Sequence, residues 1–331
     1  MLITLLALLL FSVGALASTL RTAPPPGAVV VRGSDTEAGE FSTIQAAVTS
    51  LPADASTQTI FIYPGTYTEQ VHLTRTGNLT IIGYTTNTMD FNANSVRLQF
   101  NLSQSLVGGG DLSATLRIDK NNVALYNIDV VNTFGSGSQA LAIAGYGTNL
   151  GFYAVGLYGF QDTLRAEKGV QFYSGCYISG AVDYIFGQNG HAFFHRCTIA
   201  STAPGAITAD GPDTAPESLF VINQSNITSS GDLSLTGQVF LGRPWSAQAQ
   251  VVYISCILSA IINPAGWEIW SASDPNTSGV LFAEFNSTGP GSAGTRASFA
   301  TQLGSSAAAA FGIAQVLGEN WMSWVDTAYY L

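Results

Sequence analysis

An all-β chain wound into a parallel β-helix is the fold this sequence predicts, on three observations. From residue 60 to residue 260 the chain is a succession of short β-branched and aromatic runs broken by Gly, Asn and Asp, the pattern of strands and turns. These runs repeat: FYAVGLYGFQD from Phe152 aligns with YSGCYISGAVD from Tyr173, a step of 21 that pairs Val155 with Cys176, Leu157 with Ile178, Gly159 with Gly180 and Asp162 with Asp183. Finally, the two-residue hairpin turns that a β-sandwich needs are sparse.

A second step of 21 pairs Phe172 with Phe193, Cys176 with Cys197 and Ile178 with Ile199, and looser copies follow at Val221–Ile227 and Val252–Leu258. A unit of about 20 residues cannot bury its apolar face alone, so it stacks on its neighbours. Each coil holds about three short strands, with longer insertions forming loops on one side. The alternation Phe172, Ser174, Cys176, Ile178 is expected to point inward.

The flanking elements follow in chain order. MLITLLALLLFSVGALA is uncharged, mostly apolar and ends in a small-x-small site. It reads as a secretory signal over residues 1–17, cut after Ala17, rather than a membrane anchor. TAPPPGAVVVRG is an entry segment stiffened by three prolines. Phe41, Ile44, Val48 and Leu51 have helical spacing and Pro52 stops the helix, which is expected to cap one open end of the stack. At the other extreme, FATQLGSSAAAAFGIAQVLG and WMSWVDTAYYL are expected to cover a flank or the far end. Residues 18–331 form one domain.

Composition narrows the function. Of 331 residues only 10% are charged, against roughly 25% in an average soluble protein. The net charge is −10, and the 11 basic residues include only two lysines, Lys120 and Lys168. No basic face exists to neutralise phosphates, which excludes nucleic acid as a partner. Six sequons, at Asn78, Asn101, Asn223, Asn226, Asn276 and Asn286, fit a secreted, extracellular glycoprotein. The three cysteines, Cys176, Cys197 and Cys256, share one column of the repeat. They read as buried thiols, although adjacent coils would also bring Cys176 and Cys197 within disulfide reach. Their spacing does not suit zinc, and no metal or organic cofactor is implied.

The histidines, His72, His191 and His195, do not form a nucleophile triad, and no Gly-x-Ser-x-Gly elbow is present. Chemistry must therefore run on carboxylates. Asp162 in GFQDTL and Asp183 in VDYIFG lie one repeat apart, on neighbouring coils. Two like charges so close cannot both ionise cheaply, so one is held protonated and the other stays anionic. That combination supplies an acid and a nucleophile. The alternative is a pair of turn aspartates at Gly-rich corners.

At these residues the chain resembles the pectin methylesterases, carbohydrate esterases that act on plant cell walls. The motifs are GTYTE at 65–69, QAL at 139–141, GFQDTL at 159–164, DYIFG at 183–187 and LGRPW at 241–245, with PAGWEIW at 264–270 and FAEFNSTGPG at 282–291. The resemblance runs from residue 30 to 331 and implies a right-handed parallel β-helix. It implies that Asp183 is the nucleophile on the galacturonate C6 methyl ester. Asp162 becomes the acid for departing methoxide and then the base for water. Gln139 and Gln161 would hold the oxyanion, Arg243 would aim Asp183, and Trp245 and Phe186 would be cleft aromatics. The implied partner is methyl-esterified homogalacturonan, and the implied state a monomer of the short, fungal-like type.

Tyr67, Glu69 and Pro244 are read as structural, and Trp267 and Trp270 as core or distant cleft wall rather than a subsite. Three departures from the family pattern bear on subsites: Phe160 lacks a hydroxyl, Tyr184 gains one, and Ile207–Pro212 lacks an arginine and adds Asp210, an acid expected near the cleft. Rival readings are a pectin lyase or polygalacturonase on the same fold, or a non-catalytic wall-binding β-helix. The acidic balance suggests work at mildly acidic pH.

Overall fold

The computed structural model describes residues 20–212, 218–231 and 233–331. The expected signal segment, 1–17, lies outside the described residues. Among these, strands stack into three sheets of eleven, eight and seven members. The chain visits the sheets in turn, as in the coil made of Leu150–Tyr153, Gly156–Tyr158 and Leu164–Ala166. Every ladder between named strands is parallel, and the whole is a right-handed parallel β-helix. The register reproduces the repeat: Phe152 pairs with Tyr173, Phe172 with Phe193 and Ile178 with Ile199. Later coils pair Phe193 with Val221 and Val221 with Val252. The longer insertions do not lie on one side; they leave the stack at all three corners, as at 84–95, 101–115 and 243–249.

The corner between the eleven- and eight-stranded sheets explains why the inward alternation expected from Phe172 to Ile178 is only half right. Asn127, Ala154, Gly175, Arg196, Gln224, Ser255 and Asn286 form one column down the helix, all with φ between 49° and 60°. Each turns the chain in left-handed backbone, and the N–H of each, Asn286 apart, bonds a carbonyl of the next coil, as Gly175 does to His195 (3.0 Å) and Gln224 to Ile254 (2.9 Å). The extra corner residue breaks the period of two. Tyr173, Cys176 and Ile178 therefore face the interior, while Phe172 and Ser174 face outward.

Inside, Phe152, Tyr173 and Phe194 stack at 4.5 and 4.6 Å between ring centres. Such pairs contribute about 0.5–1.5 kcal/mol each beyond burial. Cys176, Cys197 and Cys256 are free and buried, as the core reading expected. Outside, Phe172, Phe193, Val221 and Val252 are covered by Ile313, Val316, Leu317, Trp321 and Tyr329. The C-terminal segment thus covers a flank, tied by Ser174 Oγ to the Tyr329 carbonyl (2.5 Å) and by His195 Nε2 to that of Tyr330 (3.2 Å).

The N-terminal helix spans Ile44–Ser50, shorter than its apolar spacing suggests, because Phe41 instead bridges Val31. Thr43 caps it, and the Glu69 carboxylate accepts from the N–H groups of Ile44 (2.8 Å) and Gln45 (2.9 Å). Tyr67 Oη donates to the Tyr63 carbonyl and accepts from Gly33 N. Both residues of the GTYTE motif are structural, as expected. Among the described residues no helix is long and apolar enough to cross a membrane.

Candidate active site

The two aspartates stand at the corner leading into the seven-stranded sheet, just before Leu164–Ala166 and Ile185–Gly187. Leu164 pairs with Ile185, which puts Asp162 and Asp183 at the same level on consecutive coils. Each has left-handed backbone, φ 63° and 50°, which is uncommon for a side-chain-bearing residue outside Asn and Asp. Backbone bonds hold them there: Asp162 N donates to the Val182 carbonyl (3.1 Å) and Asp183 N to that of Ala206 (2.8 Å). The turn reading and the catalytic reading therefore describe the same residues.

Their electrostatics differ. The Arg243 guanidinium donates from Nε to Asp183 Oδ1 (2.8 Å) and from Nη2 to Oδ2 (2.7 Å), a bidentate clamp that favours the carboxylate. Asp162 has no such clamp. Burial, and secondly the charge on Asp183, push its carboxyl up to about 8.

Arg243 is delivered by the strand Val239–Gly242. A Cβ on Gly242 would lie 2.1 Å from Thr208 Oγ1, so glycine lets this strand close on its neighbour. Arg243 N then donates to the Thr208 carbonyl (3.0 Å) and Trp245 N to that of Asp210 (2.9 Å). Gln139, Gln161, Asp162, Asp183, Phe186, Arg243 and Trp245 line a single cavity of about 330 Å³. Every site residue expected from the sequence is brought together. Phe186 and Trp245 sit 6.2 Å apart, tilted, as one wall. Among the described residues no cluster of His, Cys, Asp and Glu could hold a metal ion.

Trp270 corrects the sequence reading. It lines the cavity, with Arg243 Cζ 4.4 Å from its ring centre. Trp267 alone is core, stacked on Phe282 at 4.4 Å. Two residues separate the two tryptophans, and an irregular stretch after Trp267 redirects the second into the cleft. Glu268, to which the PAGWEIW motif assigns no role, lies between them in the chain; burial raises its carboxyl, which interacts with Arg243 and Asp183. Asp210 lies near the cleft as expected, next to Ala209, but it is fully buried with its carboxyl bonded to Gln250 N rather than open to the cavity. Tyr184 likewise turns its hydroxyl inward, 3.0 Å from Ser201 Oγ, and adds nothing to the cleft.

The pectinesterase family profile matches residues 28–320. The chain belongs to the pectinesterase family. It is 40% identical to a pectinesterase of Aspergillus niger over 334 residues, covering 98% of each chain. It superposes on the crystal structure of the A. niger pectin methylesterase with TM-score 0.87 and 38% identity, over 94% of this chain and all of that one. A pectin methylesterase solved with a hexasaccharide matches with TM-score 0.75 and 26% identity, over 92% of this chain and 98% of that one. As a pectinesterase, the chain is a carboxylic ester hydrolase that de-esterifies pectin.

Proposed function

We propose that the enzyme hydrolyses galacturonate C6 methyl esters by a two-aspartate covalent mechanism. The observation that carries this reading is the asymmetry of the pair: one carboxylate is clamped by Arg243, while its buried neighbour has no such clamp and is pushed up to about 8. Asp183 attacks the ester carbon, and the carbonyl electron pair moves onto oxygen. The side-chain amides of Gln139 and Gln161 donate to that oxyanion; such donors are worth about 3 kcal/mol each in other enzymes. Collapse expels methoxide, which takes the Asp162 proton and leaves as methanol. An acyl anhydride between Asp183 and the galacturonate remains. Asp162, now a carboxylate, takes a proton from water, whose oxygen attacks the acyl carbon and frees Asp183. The second step restores both protonation states.

Homogalacturonan is the substrate chain in this reading. Phe186, Trp245 and Trp270 offer apolar faces to sugar rings. With a net charge of −10, long-range attraction does not draw in a polyanion, so contacts in the cleft supply binding. The same reading makes residues 1–17 a cleaved secretory signal and the mature enzyme an extracellular monomer. Glycans would sit at Asn78, Asn101, Asn226 and Asn286, which are exposed. Asn223 and Asn276 instead bond His195 (2.8 Å) and the Trp245 carbonyl (3.0 Å).

The deciding experiment is methanol release from highly methylated pectin by the wild type and by a folded Asp183→Asn variant. Release by the former alone supports the assignment. Equal release places the nucleophile elsewhere, and none from either favours a wall-binding module.

A further inference from the structure

Beneath the cleft lies a fully buried acid that the proposed reaction does not use. Asp210 ends the strand Gly205–Asp210, has no exposed surface, and sits next to Ala209, which lines the cleft. Alternation along the strand sends its side chain away from the cleft. There its Oδ2 accepts from Gln250 N (2.6 Å) and its Oδ1 from Ser218 Oγ. Its own carbonyl accepts from Trp245 N (2.9 Å). One residue thus grips both ends of the segment 245–250.

We propose that Asp210 is a positioning residue, whose carboxyl anchors the loop 243–250 so that Arg243 reaches Asp183 and Trp245 faces the cleft. The surroundings serve the same end. Gly211 packs so closely on Trp245 that an added Cβ would lie 2.6 Å from its side chain. Ser246 Oγ donates to the Pro212 carbonyl (2.5 Å), Asn276 Nδ2 to that of Trp245 (3.0 Å), and Gln250 Nε2 to that of Ser218 (3.1 Å). Burying a carboxyl is costly unless its hydrogen bonds are used. Burial, with a smaller contribution from the charge on Glu167, pushes Asp210 up to about 7 against three stabilising hydrogen bonds. An apolar residue would avoid that cost and leave Gln250 N and Ser218 Oγ without this acceptor.

The inference rests on the roles given above to Arg243 and Trp245, so Arg243→Ala is the control. Methanol-release kinetics are measured for Asp210→Ala, Asp210→Asn and Ser218→Ala, each alone and with Trp245→Ala, well below every melting midpoint. Asp210→Ala is expected to lower kcat/KM about tenfold or more, and most of that loss should vanish in the Trp245→Ala background, because residues acting through one another are not additive. Asp210→Asn keeps an acceptor for Gln250 N and a donor for Ser218 Oγ, and is expected to stay within about threefold of wild type. If Asp210→Ala does not fold, Ser218→Ala carries the coupling test. Full additivity with Trp245→Ala, or an Asn variant as poor as the Ala variant, overturns the proposal. An unaffected Arg243→Ala overturns both this proposal and the site assignment, whereas a crippled Arg243→Ala beside an intact Asp210→Ala overturns this proposal alone.

Discussion

Arg243 holds both carboxylate oxygens of Asp183, at 2.8 and 2.7 Å, while Asp162, one coil away at the same level, has no cation in hydrogen-bond contact. Equivalent positions in a repeat have thus become chemically opposite. The difference comes from one loop that reaches back over the third sheet.

Replacing Arg243 by Lys keeps a charge and loses the planar fork. The expected outcome is a fall in kcat of about 10²-fold with KM changed far less, since Asp183 is then poorly aimed rather than the cleft emptied. Steady-state methanol release on pectin measures the split.

Asp162 must carry a proton to act as the acid, and its carboxyl lies near 8. kcat/KM should therefore fall as pH rises past about 8. In an Asp183→Asn variant the Asp162 carboxyl should move down and still remain above its ordinary value of 3.8, because burial is the larger cause. NMR titration of the Asp162 carboxyl tests this.

The same shift has a consequence for stability. A carboxyl raised on folding contributes stability fully below its unfolded value, 3.8, and that contribution is lost as pH rises to about 8. Asp210, raised to about 7, acts in the same direction. The melting midpoint should decline from pH 4 to pH 8 through these two groups, and Asp162→Asn should flatten the decline. A steeper decline in Asp162→Asn would contradict the account.

Gln224 has φ 49° and is exposed at the left-handed corner. There Gly should be more stable than Ala by about 1 kcal/mol, the reverse of the usual order in strands. Denaturant unfolding of Gln224→Gly against Gln224→Ala checks it.

Tyr173 is fully buried between Phe152 and Phe194, and its hydroxyl donates to Gln171 Oε1 (2.6 Å). Tyr173→Ala should cost about 3–5 kcal/mol, as for other large aromatics removed from a core. A loss under 1 kcal/mol would show that the interior stack is not the load it appears from its geometry.

The sequence by itself determined the coil period, the parallel stacking, the column of cysteines, and the placement of Asp162 and Asp183 on neighbouring coils. It could do so because a step of 21, kept over the central coils and lengthened only by loops in the later ones, puts equivalent residues in register whatever the corners do. Its motifs also named Gln139, Gln161, Arg243, Trp245 and Phe186, all of which line one cavity. Only the tertiary structure decided which way individual side chains face. Phe172 and Ser174 turn outward because a left-handed residue intervenes at the corner, and at Arg196, Gln224 and Ala154 that residue is not glycine and leaves no mark in the sequence. Trp270 enters the cleft and Tyr184 goes into the core for a related reason. Within a strand the period of two assigns faces, but at corners and irregular stretches the facing is set by backbone dihedrals and by hydrogen bonds to residues far away in the chain.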